Sequence, residues 1–192
     1  MRKKQLRFYE KEKKINIRLV QKIALWIFQI AVVAAIAIVT AFFWGQKAPV
    51  IGSSMEPGVK AGTSVWINKA AYMLSSPERF DVIVFKPNGN KKEYFYVKRV
   101  IGMPGETIQI INGQIYIDGE LLKEHGEREL IEDPGIASEP YKIGNEEYFV
   151  LGDNRNNSED SRYADIGTIK FDDIEGSAWL WSSEGFQFGR IE

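Results

Sequence analysis

Ser54 and Lys98 are the two side chains whose types and settings could together break an acyl bond. Ser54 stands in Gly52-Ser53-Ser54-Met55-Glu56-Pro57, and Lys98 in Tyr96-Val97-Lys98-Arg99-Val100-Ile101-Gly102. A serine hydroxyl is a weak nucleophile until a base takes its proton. The usual bases are scarce, because the chain has no cysteine and one histidine, His125. His125 sits in a polar, turn-rich stretch around Glu124 and Gly126 and reads as a solvated loop residue. A carboxylate or a neutral lysine remains. Lysine titrates at about 10.4 in water and serves as a base near neutrality only where burial disfavours its ammonium form. Lys98 ends the apolar run Tyr94-Phe95-Tyr96-Val97 and precedes Val100-Ile101, a setting that would bury its stem, whereas Lys91 and Lys92 fall in a polar turn. Each residue alone has a plainer reading. Lys98 could be the outward position of an alternating strand, and Ser54 a turn residue between Gly52 and Pro57-Gly58.

The elements around this pair begin with an apolar run from Ile23 to Trp44 that contains no ionisable residue. As a helix its 22 residues reach about 33 Å, enough to cross a bilayer. A cleavable leader has an apolar core of only about 7–15 residues, so an uncleaved anchor over 23–44 is expected. Nine basic residues precede the run against Glu10 and Glu12, a net +7 for residues 1–22. Beyond it sixteen basic residues face twenty-four acidic ones, a net −8 that the whole-chain value of −1 conceals. This asymmetry predicts a cytoplasmic segment 1–22 and a remainder outside the cell membrane. Trp26 and Phe28 near one end, with Phe43 and Trp44 at the other, suit interfacial aromatic belts. The exported part carries no basic stripe for nucleic acid. Without cysteine, a disulfide framework and a Cys/His zinc cluster are excluded, and no metal site is expected.

Residues 45–192 read as one domain, mostly strand. Ser64–Asn68, Asp81–Phe85, Tyr94–Val97, Glu147–Leu151 and Ala178–Trp181 are short β-branched and aromatic runs bounded by turn formers. The clearest hairpin is Ile108–Ile111, Asn112-Gly113, Gln114–Ile117, and a second turn follows at Asp118-Gly119. Residues 120–146 show no sustained period and read as the loop-rich part of a small inserted lobe over about 107–146. The expected fold is an all-β, mainly antiparallel catalytic domain with this insertion, preceded by one N-terminal transmembrane helix.

Four motifs stand in order after the apolar run: Gly52-x-Ser54-Met55-x-Pro57; Arg79-x-Asp81-Val82-x-Val84-Phe85; Tyr96-x-Lys98-Arg99-Val100-Ile101-Gly102-x-Pro104-Gly105-Glu106; and Gly152-Asp153-Asn154-Arg155-x-Asn157-Ser158-x-Asp160-Ser161-Arg162. The series resembles the bacterial type I signal peptidases, in the short single-span form common in Gram-positive bacteria. The resemblance implies Ser54 as acylating nucleophile, Lys98 as general base and Ser158 as the hydroxyl that hydrogen-bonds and orients the Lys98 amine. It implies that Val50, Met55, Val59, Tyr96 and Val97 line shallow pockets for small side chains at −1 and −3 of the cleavage site. Asp153, Arg155, Asp160 and Arg162 match a polar scaffold behind the lysine, where paired charges are expected.

The Ser54 N–H would supply one oxyanion donor. Some relatives add a serine hydroxyl where this chain has Gly52, so a second donor must be backbone, water or nothing. One such donor is typically worth ~3–4 kcal/mol. Two other departures are Gly58, where the family often has Thr, and Phe80, where many relatives have Gly. The implied substrates are signal-peptide-bearing preproteins, the implied surroundings are the bilayer and the neighbourhood of the export translocase, and no cofactor is required. The rivals are another serine-lysine peptidase and an inactive membrane-anchored binding protein that keeps the fold.

Overall fold

The computed structural model describes residues 16–44, 46–87, 94–124, 126, 128–183 and 187–191. His125, Lys91, Lys92, the segment 1–15 and the side chains of Phe43 and Trp44 lie outside that description. The chain divides into two compact units at Val39/Thr40.

In the first unit, helix α1 runs from Ile17 to Trp44 and so begins before the uncharged run, taking in Arg18 and Lys22. Asn16 caps it: its Oδ1 accepts the Leu19 N–H at 3.3 Å, satisfying one of the orphan donors of the first turn. Its apolar side chains, such as Leu25, Phe28 and Ile38, are exposed all round, and Ile17–Ala41 is long and apolar enough to cross a membrane.

The second unit is built on antiparallel strands. The main sheet contains β1 (Gln46–Pro49), β2 (Ser64–Asn68), β3 (Val82–Phe85), β4 (Tyr96–Gly102), β9 (Glu147–Leu151), β10 (Ile169–Lys170), β11 (Ile174–Ser182) and β12 (Phe188–Arg190). Their order is β1-β2-β11-β3-β4-β9-β10, with β12 also paired to β11. The chain leaves this sheet after β4 and returns at its ladder neighbour β9. Between them, β5 (Thr107–Ile111), β6 (Gln114–Ile117), β7 (Glu120–Leu121) and β8 (Tyr141–Lys142) form a separate sheet in the order β7-β6-β5-β8.

Local chemistry accounts for these elements. Asn112 (φ 51) and Gly113 (φ 76) make the two-residue turn of the β5–β6 hairpin, with Ile111 opposite Gln114. Gly113 is also required by space, since a Cβ there would lie 2.8 Å from Leu130 Cβ. Asp118 (φ 50) and Gly119 (φ 85) make the next turn. Every residue of β3 is buried, with Val82 and Val84 in one core cluster and Ile83 and Phe85 in another. A third cluster joins Ile108, Ile110, Ile115 and Ile117 of the insertion to Ile101, Phe149 and Leu151 of the main sheet.

One strand differs from the sequence expectation in a way that matters. The run Tyr94–Val97 is not where it ends: β4 starts at Tyr96 and continues through Lys98 and Arg99 to Gly102. Two adjacent cations resemble a strand terminus, but β4 lies between β3 and β9 and is buried from Val97 onward. This burial leaves Lys98 no outward, solvated position, and its amine turns toward Ser54 instead.

Candidate active site

Ser54 sits in a turn fixed from both sides. Val50 N–H donates to Thr63 O at 2.8 Å, Glu56 N–H to Ser53 O at 3.0 Å, and Val59 N–H to Met55 O at 2.7 Å. Met55 and Val59 are fully buried in the core cluster that also contains Val50 and Val97, so the turn is nailed down immediately after Ser54. Gly52 stands at φ +83, a conformation that glycine adopts without strain, and a Cβ there would meet nothing within 4 Å.

Lys98 comes from the middle of β4, opposite Ile83. Its Nζ donates to Ser54 Oγ at 2.7 Å. The residue is 3% exposed, and burial of the ammonium is the main cause that brings its pKa down from 10.5 to about 8. The Asp160 and Glu159 charges oppose that shift, and Arg162 reinforces it. Ser54 and Lys98 open on a cleft of about 540 Å³, lined also by Val50, Gly52, Tyr94–Val97 and Asn156–Glu159. The arrangement contains a hydroxyl, a base that loses its proton near neutrality, and room for an extended chain beside both. It is equipped for acyl transfer.

Residues 23–182 match the family described as "Signal peptidase, peptidase S26". The chain belongs to this family. Among its relatives, it is 37% identical over 137 residues to "Probable signal peptidase I-2" of Synechocystis sp., covering 69% of this chain and 61% of that protein. It is 31% identical over 175 residues to "Signal peptidase I P" of Bacillus subtilis subsp. natto, covering 88% of this chain and 91% of that one. To "Signal peptidase I T" of Bacillus subtilis (strain 168) it is 33% identical over 160 residues, covering 80% and 81%. The chain thus spans less than two thirds of the Synechocystis relative and most of the Bacillus ones.

Family membership gives the remaining residues a frame. Ser158 lines the same cleft as Lys98, but its Oγ is buried and makes no hydrogen bond, so the expected Ser158–Lys98 hydrogen bond is not formed. Ser158 instead packs on Gly152, where a Cβ would lie 2.2 Å from its Oγ. Of the residues assigned to the substrate pockets, Val50, Tyr96 and Val97 line the cleft, while Met55 and Val59 lie beneath in the core.

The four scaffold residues are all buried and paired, two of them with partners that sequence reasoning missed. Asp153 accepts from Arg99 Nε and Nη2, both at 2.8 Å, and lies 3.4 Å from Arg128. Arg155 pairs with Glu124 of the insertion. Asp160 and Arg162 pair with each other at 2.8 Å, and Asp160 also accepts the Gly152 N–H at 3.0 Å. Only the adjacency of Arg99 to Lys98 in an apolar run offered a signal; Glu124 and Arg128 are chemically indistinguishable from the solvated charges around them.

Two of the three departures that the resemblance implies, Gly58 and Phe80, have structural consequences. A Cβ at Gly58 would lie 2.5 Å from Asp153 Oδ2, so the bare position leaves the Arg99–Asp153 pair undisturbed. Phe80 takes φ 75, the region that glycine favours, and is held there by Phe80 N–H to Val100 O and Arg99 Nη1 to Phe80 O, both at 2.8 Å. Its ring packs partly buried on the cluster that the insertion shares with the main sheet.

Proposed function

We propose that this chain is a membrane-anchored serine endopeptidase that removes signal peptides from exported preproteins through a Ser54–Lys98 dyad. The observation that carries the reading is the 2.7 Å contact between Ser54 Oγ and the amine of Lys98, a residue that is 3% exposed. Once Lys98 is neutral, the contact reverses and Ser54 O–H donates to the amine lone pair. Lys98 then takes the Ser54 proton as Ser54 Oγ adds to the carbonyl carbon of the −1 residue, and the Ser54 N–H receives the developing oxyanion. Collapse breaks the C–N bond, with the Lys98 ammonium returning the proton to the leaving amine. A water deprotonated by Lys98 hydrolyses the ester and regenerates Ser54.

The substrate segment adds as a strand beside residues 47–53 and 94–97, with small side chains at −1 and −3 received by Val50, Tyr96 and Val97. This placement is supported by β1 being at the edge of its sheet and by the pairing of β4 with β9 starting only at Arg99. Helix α1 is the anchor, with the basic amino-terminal segment in the cytoplasm and the β domain outside, near the export translocase. The test is cleavage of a purified preprotein by the full-length chain in detergent, with the new amino terminus mapped by mass spectrometry. Cleavage at one site after a small residue, lost in Ser54→Ala, is expected; cleavage by Ser54→Ala at the wild-type rate would refute the reading.

A further inference from the structure

The insertion between β4 and β9 closes onto the loop that follows β9. Arg155, 2% exposed, pairs through both terminal nitrogens with the Glu124 carboxylate, with 2.8 Å from Nη1 to Oε2. The Arg155 Nε donates to Gly152 O at 3.1 Å, and the Arg155 carbonyl accepts from Arg162 Nη2 at 2.6 Å. Gly152 in turn leaves no space against the Ser54 carbonyl, and Asn154 N–H donates to that carbonyl at 3.0 Å. A continuous series of contacts therefore runs from Glu124 through Arg155 and Gly152 to the nucleophile's own peptide.

Glu124 does not line the cleft, and no step of the reaction uses its charge. Its side chain is nevertheless only 15% exposed against a guanidinium that is more deeply buried still. A buried guanidinium stripped of its counter-charge is strongly disfavoured, so Arg155 keeps its inward position, and its hold on Gly152, only while Glu124 is present. We propose that Glu124 is a positioning residue for the Ser54–Lys98 pair, so that this one side chain of the insertion bears on the reacting geometry. The inference rests on the serine-lysine reading above. Loss of Glu124 lets Arg155 turn toward water, releases the Gly152 carbonyl and moves Asn154 and Ser54 with it.

The experiment measures kcat and KM of the full chain in detergent, below the melting temperature of each variant, with one preprotein as substrate. Glu124→Ala should lower kcat by about 10- to 100-fold and change KM by less than about twofold, because misplacement by a fraction of an ångström acts on the reacting geometry and not on the strand contacts. Glu124→Asp, which keeps the charge, should recover most of that loss. Ile110→Val thins the insertion's core without touching the loop and should lower Tm while leaving kcat unchanged. If Glu124→Ala does not fold, Glu124→Gln, which keeps the size and one acceptor oxygen, is read the same way. Wild-type kcat in folded Glu124 variants, or an equal loss of kcat in Ile110→Val, would overturn the proposal. Undiminished cleavage by Ser54→Ala would instead overturn the serine-lysine reading on which it rests.

Discussion

The peptide N–H of Asn154 donates to the carbonyl of Ser54 at 3.0 Å, which ties the Ser54 backbone to the loop after β9. Gly152 makes that approach possible: a Cβ there would stand 2.4 Å from Ser54 O and 2.2 Å from Ser158 Oγ. The Ser158 hydroxyl could rotate away, but Ser54 O is backbone and Ser158 Cβ, 2.6 Å from the same point, is fixed to backbone, so the clash stays. Gly152→Ala should separate the loop from Ser54 and lower kcat/KM by more than about 100-fold. Steady-state kinetics on a folded variant, checked by circular dichroism, would settle it, and near-normal activity would show that the close approach is dispensable.

The depressed pKa of Lys98 sets the pH behaviour. Only the neutral amine accepts the Ser54 proton, so kcat/KM should rise with pH through a limb near about 8. Asp160 and Glu159 both favour the ammonium form, and Glu159 is exposed enough to replace without disturbing packing. Glu159→Gln should therefore move the limb to lower pH. A limb that stays in place, or moves up, would contradict the electrostatic account.

The same shift is a statement about stability. Between the folded value of about 8 and the unfolded value of 10.5 the unfolded chain binds the extra proton, so folding becomes more favourable as pH rises through that window, and below it the burial penalty is constant. Lys98→Met removes the penalty. At pH 7 it should be more stable than wild type by about 3 kcal/mol at most, an advantage that fades between pH 8 and 10.5. Urea melts at several pH values would test this; a Lys98→Met variant less stable than wild type at neutral pH would contradict it.

Selection should follow from the walls of the cleft. Val50, Tyr96 and Val97 present apolar surface close to Ser54, with Met55 and Val59 filling the space behind them. Alanine, glycine or serine at −1 should be cleaved, while phenylalanine is rejected by overlap and lysine by desolvation. A change at −2 should be tolerated, because alternate side chains of a bound strand point away. Efficient processing after Phe or Lys at −1 of a test preprotein would remove the pocket assignment and leave the dyad untouched.

What the sequence disclosed follows the range of the interactions involved. The Asn112-Gly113 hairpin, the strands Ser64–Asn68 and Glu147–Leu151, and the helix past Ile23 are set by local turn chemistry and apolar runs, and they stand where the pattern placed them. Lys98 was legible as a buried amine because apolar residues surround it, but the continuation of the strand past Val97 to Gly102 was not, because the apolar run is interrupted at Lys98-Arg99. Glu124 and Arg128 owe their roles to partners distant in the chain, a relation that no periodicity encodes. Ser158 shows the converse: its motif implied a hydrogen bond to Lys98, while close packing against Gly152 accounts for its actual position. The charges of the fourth motif were expected to pair, yet Asp153 and Arg155 reach outside it for their partners.

The most direct measurement is the turnover of one preprotein by wild type, Ser54→Ala, Lys98→Ala and the double variant, under matched conditions at a pH above the Lys98 limb. If Ser54 attacks and Lys98 takes its proton, the two act as a unit: each single variant should lose nearly all activity and the double variant little more. Retention of more than a tenth of wild-type turnover by Lys98→Ala, or losses that simply multiply in the double variant, would contradict the dyad.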